Sequence, residues 1–181
     1  MSEAIAPHGG TARVFFADEA RLGQQGTLTR VWARTGSRPA AVKQTRYEWV
    51  YLYAAVGPAT GESVALLAPN VDAGTFGAFL QMLSGELKAG EFAVLVLDGA
   101  GWHRAKATRV PDNVVCLLLP PYSPELNPVE NLWHYLRSHH LSNRAYADYD
   151  HLLDAGTEAW RRLTPEVLRS VCRCPYLERA E

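Results

Sequence analysis

Apolar positions along this 181-residue chain follow two periods, and the switches between them lay out a fold. Arg13–Ala17 (RVFFA) is a short apolar run, and an acidic residue, Asp18, ends it. Arg46–Val56 (RYEWVYLYAAV) is aromatic and β-branched, which suits a strand. GPATG at Gly57–Gly61 is turn chemistry, and Glu62–Pro69 reads as the return strand of a hairpin. From Thr75 to Leu87 the period changes: Phe76, Phe79, Leu80, Leu83 and Leu87 recur at helical spacing, and Gly90 stops the helix. Phe92–Leu97 and Val114–Leu119 are continuous apolar runs, as expected of strands covered on both faces. Pro120 and Pro121 end the second run, because proline cannot continue a central ladder. The last third is helical. Asn127 is a candidate N-cap, with Pro128 at the first position of a helix reaching about His140. Tyr149–Leu163 and Pro165–Val171 give two more helices. The order predicts an α/β fold: one domain over 1–181, with a mixed five-stranded sheet and helices on both faces. Gln24–Gln44 lacks periodicity and reads as a protruding arm.

Composition agrees with a globular chain: 48% of residues are apolar and 20% charged, enough for a full core. No apolar run is long enough to span a bilayer, and the N-terminus lacks a basic-then-apolar signal pattern, so a cytoplasmic location is expected. Cys116, Cys172 and Cys174 lack metal-knuckle or redox-motif spacing and read as reduced thiols. The net charge of −1 does not announce a nucleic-acid binder, but its distribution is uneven. Arg30, Arg34, Arg38, Lys43 and Arg46 fall between Thr27 and Tyr47 with no acidic residue until Tyr47. Further basic zones lie at His134–Arg144 and Arg161–Arg173. Each could be a solvated face; beside a carboxylate site, each could also hold phosphate.

Three carboxylates carry the candidate chemistry. Asp18 and Asp98 each follow a buried-type run and precede a loop, where an α/β sheet opens into a ligand crevice. Glu130 lies early on the helix after Pro128. Two strand-borne aspartates and a helix-borne glutamate suit two divalent ions held about 3.5–4 Å apart against a phosphodiester. Plainer roles compete. Either aspartate alone could cap a turn, and Glu130 could fold back on Asn127 as a capping box. Glu19 should point away from Asp18 if the strand continues. Glu125 is a rival third carboxylate in the turn before the helix. His103 is either a surface residue or a group reaching the scissile phosphate, and Trp133, one turn after Glu130, packs in the core.

Four segments give these residues a family context: FADEARLG around Asp18, VWARTGSRP at Val31–Pro39, VLDGAGWHRA around Asp98 and LPPYSPELNPVENLW around Glu130. In this order they resemble the catalytic domain of a DDE transposase of the Tc/mariner superfamily, bacterial insertion-sequence type. The resemblance implies a ribonuclease-H-like fold, which the element order fits. It implies Asp18, Asp98 and Glu130 as catalytic triad and metal ligands, with Mg²⁺ or Mn²⁺ as cofactor, two ions per site when DNA is bound. It implies cleavage at terminal inverted repeats, strand transfer into target DNA, and a homodimer in the active complex, with the 24–44 arm as a clamp. Arg30, Arg34, Arg38, Lys43, Arg46 and His103 are the expected DNA contacts. Gly99 stands where the family often has Asn, and the gap to Glu130 is slightly short. Nothing before Asp18 resembles the family's helix-turn-helix modules, so repeat recognition is expected from a separate polypeptide or an upstream frame. The alternatives are a non-catalytic DNA-binding remnant and a cellular ribonuclease-H-like nuclease.

Overall fold

The computed structural model describes residues 9–23, 30–40, 44, 47–101, 103 and 108–176. Five strands form one sheet in the order β3-β2-β1-β4-β5: β1 Thr11–Gly23, β2 Trp49–Val56, β3 Ser63–Ala68, β4 Glu91–Leu97 and β5 Val114–Leu118. β1, β2 and β3 run antiparallel in sequence, whereas β4 is parallel to β1 and β5 parallel to β4. The hairpin turn needs Gly61, whose φ is +74° and where a Cβ would meet the Pro165 carbonyl oxygen at 2.3 Å.

Side chains alternate across the sheet. Phe15 and Ala17 face one side, where α1 (Ala73–Glu86) packs Phe76, Phe79, Leu80 and Leu83. Phe16, Ala20 and Leu22 face the other, beneath α2 (Val129–Leu136), α3 (Tyr149–Arg161) and α4 (Pro165–Val171). Leu132, Trp133 and Leu136 of α2 are almost fully buried there, each worth roughly 1.5–3 kcal/mol of transfer free energy. Three helices begin on identifiable caps: Asp72 accepts from Thr75 N (2.8 Å), Asp148 from His151 N (2.8 Å) and Thr164 from Val167 N (3.3 Å).

Two boundaries differ most from the expectation. Asp18 does not end β1, which continues to Gly23 against β2. The helix after Pro128 is α-helical only to Leu136 and then widens into a π turn at Arg137–Leu141. Among the described residues no helix is long and apolar enough to cross a membrane. The arm, where described at 30–40, is exposed throughout and has no regular structure beyond a turn closed by Ser37 N on Arg34 O (2.9 Å). Its return is anchored at Gln44, which donates to the Tyr146 carbonyl and accepts from Tyr146 N (2.7 Å).

Candidate active site

The sheet register builds the site. β1 and β4 pair in parallel from Thr11–Glu91 to Phe16–Val96, and there the ladder stops. Two residues further along stand Asp18, still in β1, and Asp98, just past the end of β4, so continuing the register brings the two aspartates level. Beyond Phe16, β1 keeps only β2 as a partner, and the side toward β4 opens. A cavity of about 510 Å³ occupies that opening. Asp18, Asp98 and Glu130 all line it, with Gly99, Asn127 and the loop Leu119–Pro124 completing the wall.

Asp18 is half-buried and tightly held: Trp133 Nε1 donates to its Oδ2 at 2.6 Å. Burial pushes its carboxyl up to about 7; the Trp133 hydrogen bond opposes the rise and the nearby Glu130 charge adds to it. One raised carboxylate is what crowded acids should give, but the main cause is desolvation, with smaller contributions from the charges of Glu130 and Glu19. Asp98 is more open, with 60% of its side chain exposed. Its Oδ1 accepts from Ala100 N (3.0 Å) and faces His103 Nδ1 (3.0 Å).

Glu130 reaches the cavity from α2, whose approach is fixed by Asn127. This buried asparagine donates through Nδ2 to the Ala17 carbonyl of β1 (2.9 Å) and accepts at Oδ1 from Val129 N (3.2 Å). The backbone N–H that a capping box would offer Glu130 is already given to Pro124 O (2.9 Å). Glu125 is exposed and outside the cavity lining. Two roles were therefore hidden in the sequence. Asn127 ties the helix to the strand beneath it, and Trp133 is a donor to Asp18 besides a core residue. A buried Asn at the head of an apolar helix is a signal for the first; nothing local signals the second.

His103 departs from its expected role as a DNA contact. Its side chain is only 1% exposed, packed at a tilt against Phe76 of α1 with ring centroids 4.5 Å apart, and it does not line the cavity. Burial opposes its charge, but the hydrogen bond and charge of Glu19, with Asp98 behind them, outweigh burial and raise its pKa. Of the arm residues, Arg30, Arg34 and Arg38 are exposed and none lines the cavity; Lys43 and Arg46 lie outside the described residues. Tyr122 stands fully exposed on the cavity lip with φ at 58°, a conformation unusual for a tyrosine.

As a donor set, three carboxylates suit hard divalent cations. Among the described residues no three His, Cys, Asp or Glu groups converge closely enough to enclose an ion. The three acids therefore frame an open site rather than a closed cage.

Three carboxylates lining one cavity at the mouth of a mixed sheet are a donor set of the kind a metal-dependent nuclease would use. The chain belongs to the DDE superfamily endonucleases, a family that matches residues 13–153. It is 41% identical over 118 residues to the uncharacterized protein y4pE/y4sA of Sinorhizobium fredii (strain NBRC 101917 / NGR234), covering 65% of this chain and 87% of that one. The fold is shared with the Mos1 strand transfer complex at a TM-score of 0.64 and 19% identity, covering 88% of this chain and 50% of that one. It is also shared with the catalytic domain of Mos1 mariner transposase at 0.59 and 16%, covering 88% and 75%. The chain thus spans half the length of the Mos1 chain in the strand transfer complex. Five strands in mixed array with helices on both faces make the fold ribonuclease-H-like, as the sequence led one to expect.

Proposed function

We propose that this chain is the catalytic domain of a transposase, cutting DNA phosphodiesters at transposon ends and transferring the freed strand into target DNA. The observation that carries the reading is the level placement of Asp18 and Asp98 where the β1–β4 ladder stops, with Glu130 lining the same cavity. Membership in the endonuclease family supports it, as does a fold shared with Mos1 complexes described with Mn and with Mg.

Asp18, Asp98 and Glu130 would hold divalent Mg²⁺ or Mn²⁺. Such ions, two per site, activate the attacking oxygen and stabilise the leaving oxygen of an in-line displacement. The chain's own contribution is positional. Trp133 holds one Asp18 oxygen, so the other is directed by a fixed carboxylate plane. Asn127 sets the height of α2 above β1 and hence the reach of Glu130. Asp18 is held near neutrality by burial, and a cation beside it favours the ionised form. Arg30, Arg34 and Arg38 on the exposed arm would contact phosphates without reading bases. Trp32, 105% exposed on the same arm, would pack against a second subunit in the active dimer. Recognition of the transposon ends would come from a helix-turn-helix element outside the catalytic fold.

The test is nicking of end-labelled DNA carrying the element's termini. Cleavage should require Mg²⁺ or Mn²⁺, stop with a chelator, and vanish in Asp98→Asn while DNA binding persists. Binding without any metal-dependent cleavage by the wild type would assign the chain to the non-catalytic reading. Hydrolysis with no strand transfer would assign it to the ribonuclease-H-like nucleases.

A further inference from the structure

Glu19 and His103 have no part in the chemistry above, yet they form a buried polar pair next to it. Side chains alternate along β1, so Asp18 faces the cavity and Glu19 faces the α1 side. There Glu19 is only 9% exposed, and its Oε1 meets His103 Nε2 at 2.9 Å. The other ring nitrogen, Nδ1, lies 3.0 Å from Asp98 Oδ1 and 3.1 Å from the Asp98 carbonyl oxygen. The ring itself is fixed in place: Phe76 of α1 packs on it at 4.5 Å, and His103 N donates to Ala100 O at 3.1 Å.

We infer that Glu19 and His103 are positioning residues for the proposed metal site: β1 orients the His103 ring through Glu19, and the ring orients the Asp98 carboxylate. This rests on Asp98 being a metal ligand, as proposed above. Asp98 stands just past the end of β4, where no ladder fixes it, and most of its side chain is exposed. An exposed aspartate on a loop samples several rotamers, and each must be given up when an ion binds. Here Oδ1 is met by both Ala100 N and His103 Nδ1, and the residue lines the cavity. Asp18 is oriented in an analogous way by Trp133 from the opposite face of the sheet. Partners of this kind behind a ligating group are worth about 10–100-fold in metal affinity.

A purely structural role would tie the Asp98–His103 turn to β1 and leave metal affinity alone once the protein is folded. Mn²⁺ titration by calorimetry, on the full chain without DNA, separates the two. Glu19→Leu removes the acceptor that meets His103 Nε2 at similar volume; His103→Ala removes the link from the other side. Both should weaken Mn²⁺ binding by about 10–100-fold. Both should raise the Mn²⁺ concentration for half-maximal nicking by a like factor, with kcat recovered at saturating Mn²⁺ and KM for DNA unchanged. If His103→Ala does not fold, Glu19→Leu carries the test alone. Wild-type Mn²⁺ affinity in a folded Glu19→Leu would overturn the inference while leaving the Asp98 reading intact. Absence of Mn²⁺ binding and nicking in the wild type, as in Asp98→Asn, would overturn both.

Discussion

Asp18 and Glu19 are neighbours on one strand, both acidic, and the two faces of the sheet treat them differently. Asp18 looks into the cavity beneath α2, and its partner is an indole N–H, which carries no charge. Glu19 looks toward α1, and its partner is an imidazole that can carry a positive charge. Burial therefore drives Asp18 toward the neutral acid, to about 7, whereas Glu19 raises the pKa of His103 despite the ring's burial. One face holds a carboxylate with no compensating cation at hydrogen-bonding range among the described residues; the other holds a paired one. The contrast teaches where to look for a ligand: the acid whose charge the fold disfavours is the one an added cation would ionise.

The comparison is broken most severely at Asp18 itself. Asp18→Asn should lower the nicking rate by several orders of magnitude, since metal charge stabilisation is worth several kcal/mol to the reaction barrier. A nicking assay at saturating Mn²⁺ that shows near-wild-type rate would remove Asp18 from the site.

A pH scan of stability in chelator sharpens the same contrast. The folded pKa of Asp18, about 7, exceeds its ordinary 3.8, so the folded state holds the proton more tightly than the unfolded chain. The stabilising effect is complete below about pH 4 and is lost as pH rises through about 7. The fall is at most about 4 kcal/mol, from about 1.4 kcal/mol per unit. Denaturant melts should show it in the wild type and not in Asp18→Asn.

Trp133→Phe keeps the aromatic packing of α2 and deletes the donor to Asp18. Asp18 should then ionise at still higher pH, and Mn²⁺ affinity measured by calorimetry should drop by about 10–100-fold. The smallest effect is expected on the arm. Trp32 makes no packing contact with the sheet that would hide it from solvent, so Trp32→Ala should shift stability by less than about 0.5 kcal/mol. A large loss in thermal melts would mean that the arm is part of the folded core.

Elements with an unbroken signal were legible in the sequence. The apolar runs of β4 and β5 and the helical repeat of α1 lie where their patterns put them, within a residue or two. The apolar run alone makes β1 too short, because Asp18 interrupts it, although Glu19-Ala20-Arg21-Leu22 continues at the period of a strand with one buried face. The π turn at Arg137–Leu141 left no trace, since its residues suit an α-helix equally well. In the candidate site, the positions of Asp18 and Asp98 at the mouth of the sheet were readable from the runs before them. Their level register was not, because it depends on pairing across about 80 residues of chain. The same distance hid the inward turn of His103: a histidine five residues after an aspartate says nothing about a glutamate on another strand.

The central claim is that Asp18, Asp98 and Glu130 together bind the divalent ions of a DNA-cutting site. The direct test is an anomalous difference map from crystals soaked in Mn²⁺. The account predicts a peak in the cavity within coordinating distance of both Asp18 and Asp98, about 2.0–2.2 Å from their oxygens, with Glu130 facing it. Absence of a peak at full soak, or a peak held by other residues while Asp18 and Asp98 remain unliganded, would contradict it.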